Sequence, residues 1–251
     1  MHLKVDLIPR GPYQGVVIVV DVLRATTTTP LLFEKGLREL FITASLRAAR
    51  EYAAQGQHLL LGEREGLPPE GFNYGASPAD LAKFDFSGKT AVMTTQNGPK
   101  TLPIVANAHT VLFGSFYNAQ AVSDAALEIA LNNNLEEIAL VCAGQEGLEG
   151  LDDTLTAGFL AKRIERNFNA KNIGKLEHQH ASQLAVHLLR AFPDPQEALV
   201  LSAPGQLLQK LNLHEDIAFS SLISQTNAVP VLREVIPWQP SAIYRFENLN
   251  R

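Results

Sequence analysis

Short apolar runs alternate along the chain with longer segments in which apolar residues recur every three or four positions. The run "GVVIVVDV" (15–22) is continuous and rich in β-branched residues, which is typical of a strand buried on both faces. Similar runs predict further strands at "LFITA" (40–44), "HLLLGER" (58–64), "GKTAVMTTQNG" (88–98), "TVLFGSF" (110–116) and "EEIALVCAGQEG" (136–147).

The segments between these runs predict helices. "TTTTPLLFEKGLREL" (26–40) indicates a loop or helix start with Pro30 in the first turn, and "SLRAAREYAAQG" (45–56) a helix capped by Ser45 and closed by Gly56. "EGLPPEGFNYGASPADL" (65–81) is rich in Gly and Pro and predicts a loop. Helical patterns follow at "PKTLPIVANA" (99–108), "NAQAVSDAALEIALNNN" (118–134), "LDDTLTAGFLAKRIERNF" (151–168) and "LEHQHASQLAVHLLRAF" (176–192).

This alternation predicts an α/β protein of three layers, α/β/α, around a largely parallel or mixed sheet. No low-complexity linker interrupts the sequence, so we expect one compact domain over residues 1–251. The order strand, polar loop, helix occurs in both "IVVDVLRATTTTPLLFEKG" and "ALVCAGQEGLEGLDDTLTAGFLAKRI". It suggests two related halves at about residues 1–115 and 116–251.

Composition narrows the class of protein. The chain has 251 residues, of which 46% are hydrophobic and 19% charged, as in ordinary soluble proteins. A net charge of −5 argues against a nucleic-acid partner, and no apolar run is long enough to span a membrane. The N-terminus lacks the apolar core of a signal peptide, and a single cysteine excludes an internal disulfide. We therefore expect a cytoplasmic protein without membrane or nucleic-acid partners, for which a homo-oligomer is an open option.

Polar residues recur where the predicted strands end. In open α/β sheets, ligands bind outside the carboxyl ends of the strands, so separate parts of the chain could aim these groups at one crevice. The groups concerned are Asp21 with Arg24, Glu63 with Arg64, Thr94 to Asn97, and Asp152 with Asp153.

The residue types predict a metal-assisted site for a small anionic, phosphorylated substrate. Carboxylates suit Mg²⁺, arginines grip oxyanions with two parallel hydrogen bonds, and a helix N-terminus binds phosphate. We assign the metal to Asp21, Glu63, Asp152 and Asp153, and catalysis to Asp21 and Arg24. Substrate binding is assigned to Thr26, Thr27, Arg64, Thr94, Thr95, Asn97 and Gly98.

Several common catalytic motifs are absent. "SGKT" (87–90) lacks the glycine of a phosphate-binding P-loop, because Lys83 occupies that position. An aspartyl-phosphate phosphatase would need a second aspartate where Leu23 stands, and a cysteine phosphatase an arginine where Leu148 follows Cys142. Neither G-x-S-x-G nor G-x-G-x-x-G occurs. Cys142 is interpreted as a small buried apolar residue.

The "HQH" at residues 178–180 could hold zinc, but it lies in a predicted helix with His180 on its apolar stripe. Packed or solvated histidines are the preferred interpretation.

Four segments, taken together and in this order, resemble the 2-phosphosulfolactate phosphatase family. They are "VVIVVDVLRATTTT", "LLGEREGLPPEGFNYGASP", "GKTAVMTTQNGPKTL" and "CAGQEGLEGLDDTLTAG". The resemblance implies hydrolysis of 2-phospho-3-sulfolactate to 3-sulfolactate and phosphate, a need for Mg²⁺, and a place in coenzyme M biosynthesis. It also implies a distinctive α/β/α fold.

Three positions depart from the family pattern. Ala76 stands where the family usually has Asn, Pro99 where it usually has Thr, and Asp152–Asp153 where it usually has Glu-Asp. The last keeps the charges, whereas the first two remove hydrogen-bonding groups and bear on substrate identity more than on reaction type.

Two other functions stay open at this point. One is a non-catalytic binding protein for phosphorylated or sulfonated metabolites, and the other a related phosphatase with a different substrate. Without a compelling covalent nucleophile in the sequence, direct attack by water is the preferred mechanism.

Overall fold

The computed structural model describes residues 1–96 and 98–250, so the predicted substrate-binding residue Asn97 lies outside the described residues. The strands are β1 His2–Asp6, β2 Val16–Val20, β3 Glu39–Ile42, β4 Leu59–Gly62, β5 Thr90–Thr94, β6 Thr110–Phe113, β7 Glu137–Cys142, β8 Glu177–His180, β9 Pro230–Ile236 and β10 Ile243–Asn248. The helices are α1 Ala25–Glu34, α2 Leu46–Gly56, α3 Pro78–Leu81, α4 Gly98–Val105, α5 Ala119–Asn132, α6 Leu151–Lys171, α7 Ser182–Leu188, α8 Pro195–Leu201, α9 Ala203–Lys210 and α10 His214–Ser220. No helix among the described residues is long and apolar enough to cross a membrane.

The ten strands formed by residues 1–96 and 98–250 belong to one mixed sheet in the order β4-β5-β3-β10-β9-β6-β2-β7-β1-β8. Helices cover both faces, which confirms the predicted three-layer α/β/α class. Strands β9 and β10, which the apolar pattern did not predict, join two parallel groups by antiparallel pairing. The division into halves at residue 115 stays a prediction, and strands from both sides of that point are interleaved in the sheet.

Strand β2 lies deep in this sheet, as its continuous apolar run predicts. Val17 and Val19 lie on the face covered by α4, in a core that also contains residues of α1, while Val16, Ile18 and Val20 pack on the other face against α5 and α6. The loop that follows β2 therefore starts from a buried strand paired with β6 and β7.

The antiparallel strands have a consequence for the site. They give the group β3–β5 the opposite sense to the group containing β2 and β7, so a flat sheet would send the two sets of strand ends to opposite edges. Neighbouring strands twist by about 20–25°, and this rotation accumulates over the strands between β4 and β2. Twist, together with a core shared around α1, explains how the ends of β2, β4 and β5 meet.

Three local expectations were wrong. Pro30 lies beyond the first turn of α1, which begins at Ala25. The left-handed residue that closes α2 is Gln57 rather than Gly56. The "HQH" segment is the edge strand β8 and not part of a helix, because its backbone pairs with β1.

Helices α8, α9 and α10 form a small helical layer over the end of β2. Ala198, Leu199, Leu208 and Ile217 from this layer share a core with Val22, and with Phe116 and Leu155. The layer has its own turn signals: Asp194 caps α8, and Ser202 accepts from the N–H of Gly205 at the start of α9. It places part of the C-terminal third of the chain above the loop that begins at Asp21.

Candidate active site

The carboxylate of Asp21 lies between the N-termini of two helices. It accepts hydrogen bonds from the main-chain N–H groups of Ala25 in α1 and Gly98 in α4, where the helix dipoles favour negative charge. A Cβ on Gly98 would lie 2.7 Å from Asp21 Oδ2, so only glycine permits this approach. Asp21 lines a cavity of about 50 Å³ and is itself buried.

Three acidic residues influence one another at this point. Burial, followed by the charges of Glu63 and Asp152, raises the pKa of Asp21 from 3.8 to about 7. Burial also raises the pKa of Asp152 to about 6. None of the three forms an ion pair with a basic side chain in the described part of the chain. The site therefore concentrates negative charge that a bound cation would relieve.

Glu63 follows β4 and joins two loops at the same cavity. Its Oε1 accepts the N–H of Gln96 at 2.7 Å, and its Oε2 accepts the N–H of Gly66 at 3.0 Å. The side chain lines the cavity with Asp21. These two bonds orient the Glu63 carboxylate and leave each oxygen with a second lone pair.

Asp153, a predicted metal ligand, is engaged by the main chain instead. Its two oxygens accept the N–H of Val22 at 2.9 Å and that of Gly144 at 3.1 Å, and burial raises its pKa well above the ordinary value. Asp153 does not line the Asp21 cavity. It fastens the loop after β2 to the loop after β7, away from the cavity at which we predicted the cation.

The four predicted metal ligands do not form one cage. Among residues 1–96 and 98–250, no group of three or more His, Cys, Asp or Glu side chains is arranged to hold a metal ion. Mg²⁺, however, is usually bound by one or two carboxylates, with water and substrate oxygens completing its shell. Asp21 and Glu63, both at the cavity and without a basic partner, fit that smaller set.

Arg24 also lines the cavity, but its partner is distant in sequence. Its Nη1 donates to Asp216 Oδ2 at 2.6 Å and its Nη2 to the Gly66 carbonyl at 2.8 Å. The side chain is only 4% exposed. The loop after β2 thus brings a carboxylate and a guanidinium to one cavity, as predicted.

The hydroxyl groups of the four threonines in α1 bind main-chain groups rather than lining the cavity. Thr26 Oγ1 accepts the N–H of Asp21 at 3.0 Å, and the Thr27 hydroxyl donates to the Val22 carbonyl at 2.9 Å. Thr28 and Thr29 likewise donate to main-chain carbonyls, and all four side chains are buried. In contrast to the prediction for Thr26 and Thr27, these hydroxyls are turned into the fold and brace the Asp21 loop.

Arg64 and Thr94 bind each other rather than the cavity. Arg64 Nη1 donates to the carbonyl of Glu63 at 2.6 Å. Its Nη2 donates to the carbonyl of Ala44 at 3.0 Å and to Thr94 Oγ1 at 2.9 Å. Neither Arg64 nor Thr94 lines the cavity. Partial burial lowers the pKa of Arg64. The structure thus places these two residues in a brace between the ends of β3, β4 and β5, away from the cavity at which we predicted substrate contacts.

Thr95 keeps its predicted place at the cavity. Its hydroxyl is buried and has no hydrogen-bond partner among the described residues, which is unusual for a buried polar atom. Gln96 lies within the predicted strand-end segment Thr94 to Asn97 and lines the same cavity, as does Gln145, which we did not predict. Gln145 follows β7 and could have been found by the strand-end rule.

The remaining wall comes from residues that carry no catalytic pattern. Pro204, Leu207 and Leu208 of α9 close one side of the cavity, and a second cavity of about 330 Å³ adjoins it. Arg24, Gly66 and Ala76 border both spaces. Nothing in the periodicity of α9 indicated this role.

Comparison with known proteins gives the family of this chain. The family model of 2-phosphosulpholactate phosphatase matches residues 2–235. A protein of Thermus thermophilus named "Probable 2-phosphosulfolactate phosphatase" is 41% identical over 236 residues, which are 93% of this chain and 95% of that protein. Similar proteins with the same name come from Deinococcus radiodurans, at 37% identity over 92% of this chain and 93% of the relative, and from Caldicellulosiruptor saccharolyticus, at 34% over 80% and 82%. The chain belongs to the 2-phosphosulfolactate phosphatase family.

Proposed function

We propose that this protein hydrolyses 2-phospho-3-sulfolactate, or a closely related phosphorylated acid, to the free acid and phosphate, and that it requires Mg²⁺. The family match over nearly the whole chain and the names of its relatives support the reaction class. The observation that carries the proposal is the Asp21 cavity, where unpaired carboxylates and a guanidinium face the same small space.

The metal would be held by Asp21 and Glu63, with Asp152 adding to the negative field around it. When bound, Mg²⁺ neutralises charge on phosphoryl oxygens and lowers the pKa of a coordinated water. Phosphoryl transfer demands little covalent chemistry from the protein, so positioning and charge stabilisation dominate the rate.

The chain's own residues account for the rest of the chemistry. Arg24 has guanidinium N–H groups beyond the two bound to Asp216 and Gly66, and these can meet an oxyanion in the cavity. Thr95 offers a hydroxyl that lacks another described partner. No serine, cysteine or histidine is found in the described cavity lining, which favours attack by water over a Ser, Cys or His phosphoenzyme.

The test is phosphate release from a panel of phosphorylated carboxylates and sulfonates, with Mg²⁺ and after exhaustive chelation. We expect turnover of 2-phosphosulfolactate that is lost on chelation and restored by Mg²⁺. Full activity after chelation would contradict the metal requirement. Saturable binding without release of phosphate would favour the non-catalytic alternative, and preference for another ester would favour a different substrate.

A further inference from the structure

Asp216 lies on α10, in the helical layer, and its carboxylate joins three segments that are far apart in sequence. Oδ2 accepts Arg24 Nη1 at 2.6 Å, while Oδ1 accepts the Ser77 hydroxyl at 2.6 Å and the N–H of Ala79 at 3.3 Å. Its side chain is only 1% exposed. The carboxylate therefore sits at a fixed point behind the cavity-lining arginine.

Stability alone gives a weak reason for this arrangement. A buried ion pair pays a desolvation cost that can equal or exceed its Coulomb gain, so such pairs add little to folding on average. Orientation gives a stronger reason. Arg24 is held from two sides, by Asp216 and by the Gly66 carbonyl, and its guanidinium plane cannot turn without breaking both bonds.

We propose that Asp216 is a positioning residue, which holds the Arg24 guanidinium so that its remaining N–H donors face an oxyanion in the Asp21 cavity. The inference rests on the proposed function only in treating this cavity as an anion site. It assigns to the helical layer a part in substrate recognition, beyond the apolar wall supplied by α9.

Two expectations about Asp216 differ in sign. If its charge merely opposes an incoming anion, removing that charge strengthens anion binding. If it positions Arg24, removing it weakens anion binding, although the site becomes less negative. Weaker anion binding therefore indicates positioning, and stronger binding indicates simple repulsion. If Asp216 serves only the stability of the fold, the affinity for the anion does not change in either direction.

The experiment is calorimetric titration of the full-length protein with inorganic phosphate, in the presence of Mg²⁺, for the unaltered chain, Asp216→Asn and Glu215→Gln. Glu215 is the matched control, since it precedes Asp216 on α10, loses the same charge, and is 80% exposed. We expect the Kd of phosphate to rise about tenfold or more in Asp216→Asn, the scale of a lost hydrogen bond to a charged group, and to change less than about twofold in Glu215→Gln.

Ser77→Ala provides a second variant if Asp216→Asn does not fold. It removes one donor from Asp216 without changing any charge, and we expect a smaller rise in Kd. Because the Ser77 hydroxyl also caps α3 by accepting the N–H of Asp80, the melting temperature of this variant is measured alongside. Phosphate binding that is unchanged or tighter in folded Asp216→Asn would overturn the inference, as would an unaltered chain that binds no phosphate. An unaltered chain that binds phosphate but releases none from the ester panel would contradict the proposed function and leave this inference standing.

Discussion

The loops after β2 and β4 both present an acid followed by an arginine, yet the structure uses the two pairs differently. After β2, Asp21 and Arg24 both line the cavity. After β4, Glu63 lines it, whereas Arg64 turns away and binds carbonyl groups and Thr94. An acid followed by an arginine at a strand end thus gives two cavity residues in one loop. In the other loop, only the acid reaches the cavity, and the arginine braces the neighbouring strand ends.

The difference follows from what surrounds each guanidinium. Arg24 meets a buried carboxylate supplied by α10, which fixes its charge beside the cavity. Arg64 instead donates to the carbonyl oxygens of Glu63 and Ala44 and to the Thr94 hydroxyl, and it does not line the cavity. A polar residue at a strand end is therefore a candidate for the site, and its partners decide whether it faces the ligand. Substitutions in the two loops can test this distinction.

Asp21→Asn should lower kcat by more than about 100-fold, because its buried carboxylate supplies, at the cavity, the negative charge that would hold the metal. Steady-state phosphate release at saturating Mg²⁺ measures it. Glu63→Gln is the companion variant from the other loop, and its loss should be smaller, about tenfold, since Glu63 is the less buried carboxylate. A loss below about threefold for Asp21→Asn would exclude its proposed role.

Arg24→Lys and Arg64→Lys should separate the two arginines. The first should lower kcat/KM by about 10–100-fold, since a single ammonium cannot reach Asp216, Gly66 and an oxyanion together. The second should lower the melting temperature while kcat/KM of the folded protein stays within about threefold. Kinetics and thermal melts on the same preparations decide between them.

The reverse outcome, a kinetic defect confined to Arg64→Lys, would return substrate anchoring to the loop after β4.

Thr95→Val and Thr26→Val compare a hydroxyl at the cavity with one turned into the fold. Thr95→Val should reduce kcat/KM by up to about tenfold with little change in stability, because its hydroxyl has no described partner to lose. Thr26→Val should instead destabilise the protein by about 1–2 kcal/mol, because the N–H of Asp21 loses its acceptor. Equal melting temperatures for the two variants would argue against this division.

The smallest effect concerns the stability of the metal-free protein at different pH values. Folding raises the pKa of Asp21 to about 7 and that of Asp152 to about 6. The folded state therefore holds these protons more tightly than the unfolded chain. Their contribution to stability is full below the ordinary pKa of 3.8 and declines as the pH rises to about 6 for Asp152 and about 7 for Asp21. We expect the melting temperature to fall by about 5 °C between pH 5 and pH 8 from this cause, and Mg²⁺ to recover it at pH 8.

Asp21→Asn should flatten that dependence, whereas Glu63→Gln should retain most of it. Thermal melts in the presence of a chelator test both variants. The same slope in Asp21→Asn and in the unaltered protein would show that other groups cause it.

The fold class and part of the cavity lining could be predicted from the sequence. The β-branched run before Asp21 fixed a strand buried on both faces, and the alternation of apolar runs with amphipathic segments fixed the α/β/α class. The strand-end rule located Asp21, Arg24, Glu63 and Thr95 at the cavity, because burial of a strand leaves its first polar residue at the sheet edge.

Which polar atoms face that cavity depends on contacts that form when distant segments of the chain pack together. Thr26 and Arg64 carry the same local signals as Thr95 and Arg24. Thr26, however, accepts the N–H of Asp21, and Arg64 donates to groups that folding brings near, the Ala44 carbonyl and the Thr94 hydroxyl. Asp216 had no signal, since its partner Arg24 is 192 positions away along the chain. Local sequence patterns indicate which strands are buried and where they end. The partner of a buried polar group depends on the twist of the sheet and on the docking of the helical layer, which no short stretch of sequence encodes.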